Sequence, residues 1–267
     1  MGSQVSINSK LVFVIPDIHF PHHDRKAVEC MLRAHEALRP QRTVQLGDAL
    51  DCGGFAFHPS NSLRDVLGHN FLKDEVDPCR EFTTRCLKNT SRFIQMGGNH
   101  EHRIERRCIE WGKIGESIFG VVNPGRLLGE GRSSQEWDWV PYVPTKNPTS
   151  YYPICKTLIA VHGWSFAEQA ASVHLRATRD MSVVFGHTHR KQYDSTRNPF
   201  TGQIIRAWSV GTLSRLQPLY ATDGKPNNWT HGFGLVYVGS NGRDFSEYAI
   251  TIENGQCTLP SGEQIKV

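Results

Sequence analysis

Apolar residues run unbroken through Leu11-Val12-Phe13-Val14-Ile15 and stop at Pro16. A short continuous run of this kind predicts a strand buried on both faces. Four later stretches also read as buried strands: Arg42 to Leu46, Arg92 to Met96, Lys156 to Val161 and Ser182 to Phe185. Between the first two, Ala27, Met31, Ala34 and Leu38 recur at helical spacing, with Asp24 placed to cap the helix and Pro40 to end it. This β-α-β unit predicts a parallel pair, and the α/β class for the chain. A second helix is expected over 70–90, burying Phe71, Val76, Phe82, Cys86 and Leu87, a third through Arg103, Ile104, Arg107 and Cys108, and a fourth over about 166–179. Past a turn at Arg197 to Gly202, residues 203–210, 233–238 and 245–252 read as strands, two or three of them paired as hairpins. Residues 112–153 carry Gly, Pro and aromatic patches without period. They read as a long insertion over one sheet edge within a single domain spanning 1–267.

Composition narrows the function classes. The formal charge of +4 permits an anionic substrate, but no long basic run marks a nucleic-acid arm. Seven Cys without regular spacing read as free thiols in a reducing cytosol. The opening apolar run is too short for a signal peptide, and no stretch is long enough to span a bilayer, so the expectation is a cytoplasmic protein with no membrane partner. Thirteen His are many for this length, and several stand in tight polar clusters.

Those clusters fall at strand ends. The five buried runs lead into Asp17 and His19, Asp48 and Asp51, Asn99 and His100, His162, and His187 with His189. In an α/β sheet the carboxyl ends of the strands share an edge where ligand sites form. Residues two apart on an extended backbone point the same way, so Asp17 with His19, and His187 with His189, can each face a common centre. Asp48 follows a Gly turn, and its two oxygens could hold two cations roughly 3.5–4 Å apart, a spacing that clamps both oxygens of a phosphoryl displacement. Oxygen plus imidazole suits Mn, Fe, Zn or Ni better than Mg or Ca. Only Cys52 lies at a cluster, which argues against a thiolate zinc site. Singly, each cluster has a bland reading as a turn, a cap or a core histidine. Five in register with five strand ends point to one shared site.

The order D-x-H, G-D-x-x-D, G-N-H-E, His-Gly and G-H-T-H, from Asp17 to His189, resembles the calcineurin-like metallophosphoesterases. The tail around Ser209 to Thr212 and Asn228 to Phe233 is similar to viral and bacterial members. The resemblance implies a four-layer α/β sandwich, two mixed β-sheets flanked by helices. It implies one metal on Asp17, His19 and His189, a second on Asn99, His162 and His187, and Asp48 bridging them. His100 would be the general acid, Asp51 its orienting partner, and Glu101 would hold the turn. The implied chemistry is phosphoester hydrolysis with a hydroxide bridging two divalent ions as nucleophile, Mn2+ first among the candidates. Phosphoprotein phosphatases of the family carry Arg-Gly directly after the second Asp. Cys52-Gly53 stands here, which favours a monoanionic phosphodiester substrate, DNA, RNA or a nucleotide. A phosphomonoesterase with its Arg supplied from elsewhere, such as Arg25 or Arg64, is the alternative. A non-catalytic scaffold is a third reading, opposed by the full ligand set. Arg103, Arg106 and Arg107 are candidates to line a groove for a nucleic-acid backbone, and Trp137, Trp139, Trp229 and Phe233 to stack bases. The competing readings are a solvated, ion-paired helix face and a small aromatic core.

Overall fold

The computed structural model describes residues 10–56, 69–144, 150–217 and 227–267. Residues 1–9 and 57–68, among them Arg64, lie outside the described residues. The chain runs β1 (Lys10–Ile15), α1 (Arg25–Leu38) and β2 (Arg42–Gln45). A π turn at Phe71–Val76 leads into α2 (Asp77–Leu87) and then β3 (Arg92–Met96). Three helices follow, α3 (His102–Glu110), α4 (Gly112–Val122) and α5 (Pro124–Gly129), and then β4 (Trp137–Val140). Next come β5 (Tyr152–Cys155), β6 (Leu158–Val161), α6 (Ala170–Thr178) and β7 (Ser182–Phe185). The remainder is β8 (Lys191–Arg197), β9 (Ile204–Val210), β10 (Gly232–Val238), β11 (Phe245–Thr251), β12 (Gln256–Thr258) and β13 (Gln264–Lys266).

One sheet has the order β11-β10-β1-β2-β3-β4, the other β5-β6-β7-β9-β8. Strands β1 to β4 are mutually parallel, as are β6, β7 and β9; β10, β11, β5 and β8 run antiparallel to their neighbours. Alternation along β1 explains the sandwich. Val12 and Val14 pack with Val44, Leu46, Ile94 and Met96 against Leu158, Ala160, Val184 and Trp208 of the other sheet. Phe13 and Ile15 face the opposite way, into a core shared with Ala27, Met31 and Ala34 of α1 and with Phe82 of α2. On the far side, Val161, Val183 and Phe185 pack on Ala170, Ala171 and Leu175 of α6. The result is four layers, helix, sheet, sheet, helix, as the motif resemblance implied.

Helix α1 starts where the sequence placed it: the Asp24 side chain accepts from Ala27 N–H at 2.8 Å, the hydrogen bond of an N-cap. The stretch 112–153 differs from a plain insertion. Its Trp137–Val140 segment pairs parallel with β3 at the edge of the first sheet, and Tyr152–Cys155 opens the second. Trp137 and Trp139 lie on that edge strand and cover Gly129, and Gly97 with Gly125, so aromatic packing on glycine sets this strand rather than alternation. No described helix is long and apolar enough to cross a membrane.

Candidate metal centre

The sheets deliver the clusters from both sides. Asp17 and His19 follow β1, Asp48 follows β2 and Asn99 follows β3; His162, and His187 with His189, come from β6 and β7 of the facing sheet. The site therefore sits where two sheets meet, not along the edge of one. Gly47 makes this approach possible. It has φ +101°, and a Cβ there would stand 2.7 Å from both Gly97 O and His162 Nδ1. Extended backbone is not how the paired residues converge. His19, Asp48, His187 and His189 all have positive φ, between 51° and 70°, a region that costs a non-glycine residue of order 1 kcal/mol or more. The left-handed turns aim the side chains: His189 joins Asp17 and His19, while His187 joins Asp48 and His162.

In the first group, His189 Nε2 lies 3.1 Å from Asp17 Oδ2 and 3.0 Å from His19 Nε2. In the second, His162 Nε2 lies 2.9 Å from Asn99 Oδ1, 3.1 Å from His187 Nδ1 and 3.4 Å from Asp48 Oδ2. Asp48 Oδ2 is also 3.8 Å from His19 Nε2. The same oxygen thus faces both groups. The other, Oδ1, accepts the His100 backbone N–H at 2.9 Å, so the two oxygens are not shared out one per group.

These distances suit cations. Two donors about 2.1 Å from one ion stand about 3.0 Å apart at a right angle and about 3.4 Å apart at a tetrahedral angle. The donor chemistry agrees. His162 Nδ1 donates to Leu46 O at 2.9 Å, which fixes the ring with Nε2 facing Asn99 Oδ1 and Asp48 Oδ2. His19 Nδ1, His189 Nδ1 and Asp51 Oδ1 are buried without a hydrogen-bond partner. His19 Nδ1 and Asp51 Oδ1 face each other at 3.4 Å without a formed hydrogen bond.

The electrostatics ask for positive charge. Burial alone would lower His162, but Asp48, Asp17 and Glu101 outweigh it and raise the imidazole to about 9. Burial opposes ionisation of Asp48 too, yet His162 and His100 hold it well below the usual carboxylate range. Burial, then His162, pushes His187 down to about 3, so its ring is a neutral donor.

Glu101 holds the site together. Its carboxylate accepts the backbone N–H of Asp48 at 3.1 Å, of Leu50 at 2.8 Å and of Gly98 at 2.8 Å, tying the β2 and β3 loops. His100 lies at the rim, with Nε2 3.9 Å from Asp48 Oδ2. Its Nδ1 donates to the Asp51 carbonyl at 2.8 Å, closer than the Asp51 carboxylate at 3.3 Å. The main chain of Asp51 thus orients His100, while its carboxylate lies between His100 and His19.

All five motifs of the metallophosphoesterase pattern enter this one site. The chain resembles the calcineurin-like metallophosphoesterases. No family model matches it. It is similar to the Gene 54 protein of Mycobacterium phage D29, 24% identical over 244 residues that cover 87% of this chain and 91% of that protein. Among solved structures, Vacuolar Protein Sorting 29 from Cryptosporidium parvum aligns over 97% of this chain and 99% of its own, at 13% identity and TM-score 0.48. Yfce, a phosphoesterase from E. coli, aligns over 90% of this chain and 98% of its own, at 13% identity and TM-score 0.38. With scores this low, the metallophosphoesterase-like architecture stands on the strand order and the motif geometry above.

The sequence reading offered Arg103 only as a groove candidate and gave Phe166 no role, yet both stand at the site. Arg103 donates to the Asp51 carbonyl at 2.9 Å and places a second guanidinium nitrogen 3.0 Å from His100 Nε2. The signal was present, since three residues separate it from His100 at the start of a helix. Phe166 packs on His187, with ring centroids 3.7 Å apart. Of the aromatics expected to stack bases, Trp229 reaches the site, 4.2 Å from the His189 ring. Phe233 stacks on Phe13 in the core, and Trp137 and Trp139 belong to β4. Arg107 bonds the Phe55 and Ala56 carbonyls and Glu110, so it braces a loop.

Proposed function

We propose that the protein is a dinuclear-metal-dependent phosphoesterase that hydrolyses phosphodiester bonds in nucleic acid or nucleotides. The observation that carries this is the pair of donor groups sharing Asp48 Oδ2. Asp17, His19 and His189 would hold one divalent ion, and Asn99, His162 and His187 the other. Such ions supply Lewis acidity for the phosphoryl oxygens and lower the pKa of water toward neutrality. The chain's own groups do the rest. Asp51, through its carbonyl, fixes the His100 ring with Nε2 toward the rim. Burial and the Arg103 guanidinium work against a charged His100, but Asp48 and Asp51 outweigh them and raise its pKa above the ordinary value. A proton on Nε2, taken up as the Arg103 N–H turns aside, can then be delivered to the departing oxygen. Glu101 keeps the loops carrying Asp48 and Asn99 at fixed separation.

One observation favours a second reading, a phosphomonoesterase. The Arg103 guanidinium beside His100 could provide the charge that a dianionic phosphate requires and that Cys52-Gly53 cannot. Turnover of bis-p-nitrophenyl phosphate and p-nitrophenyl phosphate by Mn2+-loaded protein separates the two. Preference for the diester is expected. Preference for the monoester establishes the second reading, and silence on both with metal bound refutes an esterase.

A further inference from the structure

Phe166 is 70% exposed, yet it is not free to move. Its loop is tied down: the Arg190 guanidinium donates to the Phe166 and Ala167 carbonyls at 3.2 and 2.7 Å. Gln192 Nε2 donates to Glu168 O at 2.7 Å. One face of the ring leans on His187, tilted by 40°, and exposure leaves the other to solvent. An exposed Phe forgoes the free energy of burial, and Phe166 belongs to none of the core clusters among the described residues. Trp229 stands in the matching place on the other donor group. It is half-buried and edge-on to His189 at 75°, and its segment is held by Thr230 N–H donating to His189 O at 3.0 Å. Two aromatic rings therefore flank the two donor groups, each one imidazole away from where a phosphate would bind.

Building on the phosphodiesterase reading, we infer that Phe166 and Trp229 form a stacking platform for the nucleobases on either side of the bound phosphodiester. A ribose bridges phosphate to base on the substrate, as one imidazole bridges donor group to aromatic ring on the protein. Every base offers a π face, so such a platform selects nucleobase-bearing diesters without reading sequence. Arg190 and Gln192 already hold the loop's main chain, so little loop-ordering entropy remains to be lost on stacking. A protein or lipid surface covering Phe166 is the competing occupant. It is less favoured because the exposed ring is continuous with the cation-binding donors.

The test is binding to Mn2+-loaded full chain, read by anisotropy of labelled, phosphorothioate-linked oligothymidylate. An abasic strand of equal length and charge is the comparison. The parent should prefer the base-bearing strand by about ten-fold. Phe166→Ala should lose most of that preference while holding the abasic strand as before, and Phe166→Tyr should keep it. Equal binding of both strands by the parent, binding of neither, or equal weakening of both by Phe166→Ala overturns the platform. Bis-p-nitrophenyl phosphate turnover is measured alongside. A protein that cleaves diesters but ignores bases loses the platform and keeps the esterase. A protein that cleaves nothing loses the esterase, while the strand comparison still decides the platform.

Discussion

Replacing Gly98 by Ala tests the shared-oxygen geometry of Asp48 directly. A Cβ on Gly98 would lie 2.1 Å from Asp48 Oδ1 and 2.5 Å from Asp48 N. The carboxylate ends a short side chain and could swing aside. The amide cannot, and it sits about 0.9 Å inside an ordinary 3.4 Å contact. Either relief moves Asp48 and breaks the bond from His100 N–H to Oδ1. Overpacking of this kind costs about 1–3 kcal/mol, a fall of roughly 2–10 °C in Tm for a chain this long. Mn2+ affinity should drop by at least about 10–100-fold, the loss seen when a ligand's supporting contacts are removed. Gly54→Ala is the control, because a Cβ there meets nothing within 4 Å; its stability should stay within about 0.5 kcal/mol of the parent. The assays are calorimetric titration of Mn2+ into metal-stripped protein and thermal unfolding of the same samples. If Gly98→Ala binds Mn2+ and melts as the parent does, Asp48 does not lie where the site requires.

Three further outcomes follow from the same geometry. His35 is fully buried with Nε2 bonded to Thr43 Oγ1 at 2.8 Å, and burial lowers its pKa to about 4. The unfolded chain takes up a proton below pH 6.5 that the fold resists, so this contribution is whole above pH 6.5 and shrinks as pH falls toward 4, by up to roughly 3 kcal/mol. His35→Gln should flatten that part of the urea-midpoint profile; parallel profiles would refute it. His100→Asn should leave Mn2+ affinity nearly unchanged while kcat falls about 10²–10⁴-fold, and loss of metal together with activity would reassign His100 as a ligand. Arg103→Met should raise KM for p-nitrophenyl phosphate about 10–100-fold, as for loss of a charge-assisted contact, and KM for the diester less; equal effects would mean Arg103 only holds the Asp51 loop.

The strands that carry the site were legible because they are buried on both faces. β1, β6 and β7 show unbroken apolar runs, β2 and β3 runs interrupted by Thr43, Gln45 and Gln95, and each leads into its polar cluster. β8 was not legible: Lys191–Arg197 is a polar edge strand whose ladder to β9 is main-chain work. β12 and β13, three residues each, bury one side chain apiece. Within the site, donor identities could be read from residue type and position, but how they pair could not. No glycine marks the left-handed backbone at His19, His187 or His189, so extended alternation was the natural expectation. Phe166 was hidden because a loop aromatic ordinarily signals packing, and only its exposure beside His187 shows otherwise.

The left-handed bends at four donor residues carry a consequence for how the protein meets its ions. Hydrogen bonds accepted by the Glu101 and Asp17 carboxylates and by the Asp48 and His189 carbonyls already hold those bends, with two packed sheets behind them. In small zinc modules the ion organises the chain, and binding and folding are one event. Here hydrogen bonds and packed sheets hold the donors in place without help from a cation, so chelation should leave a standing sandwich that takes metal up again without refolding.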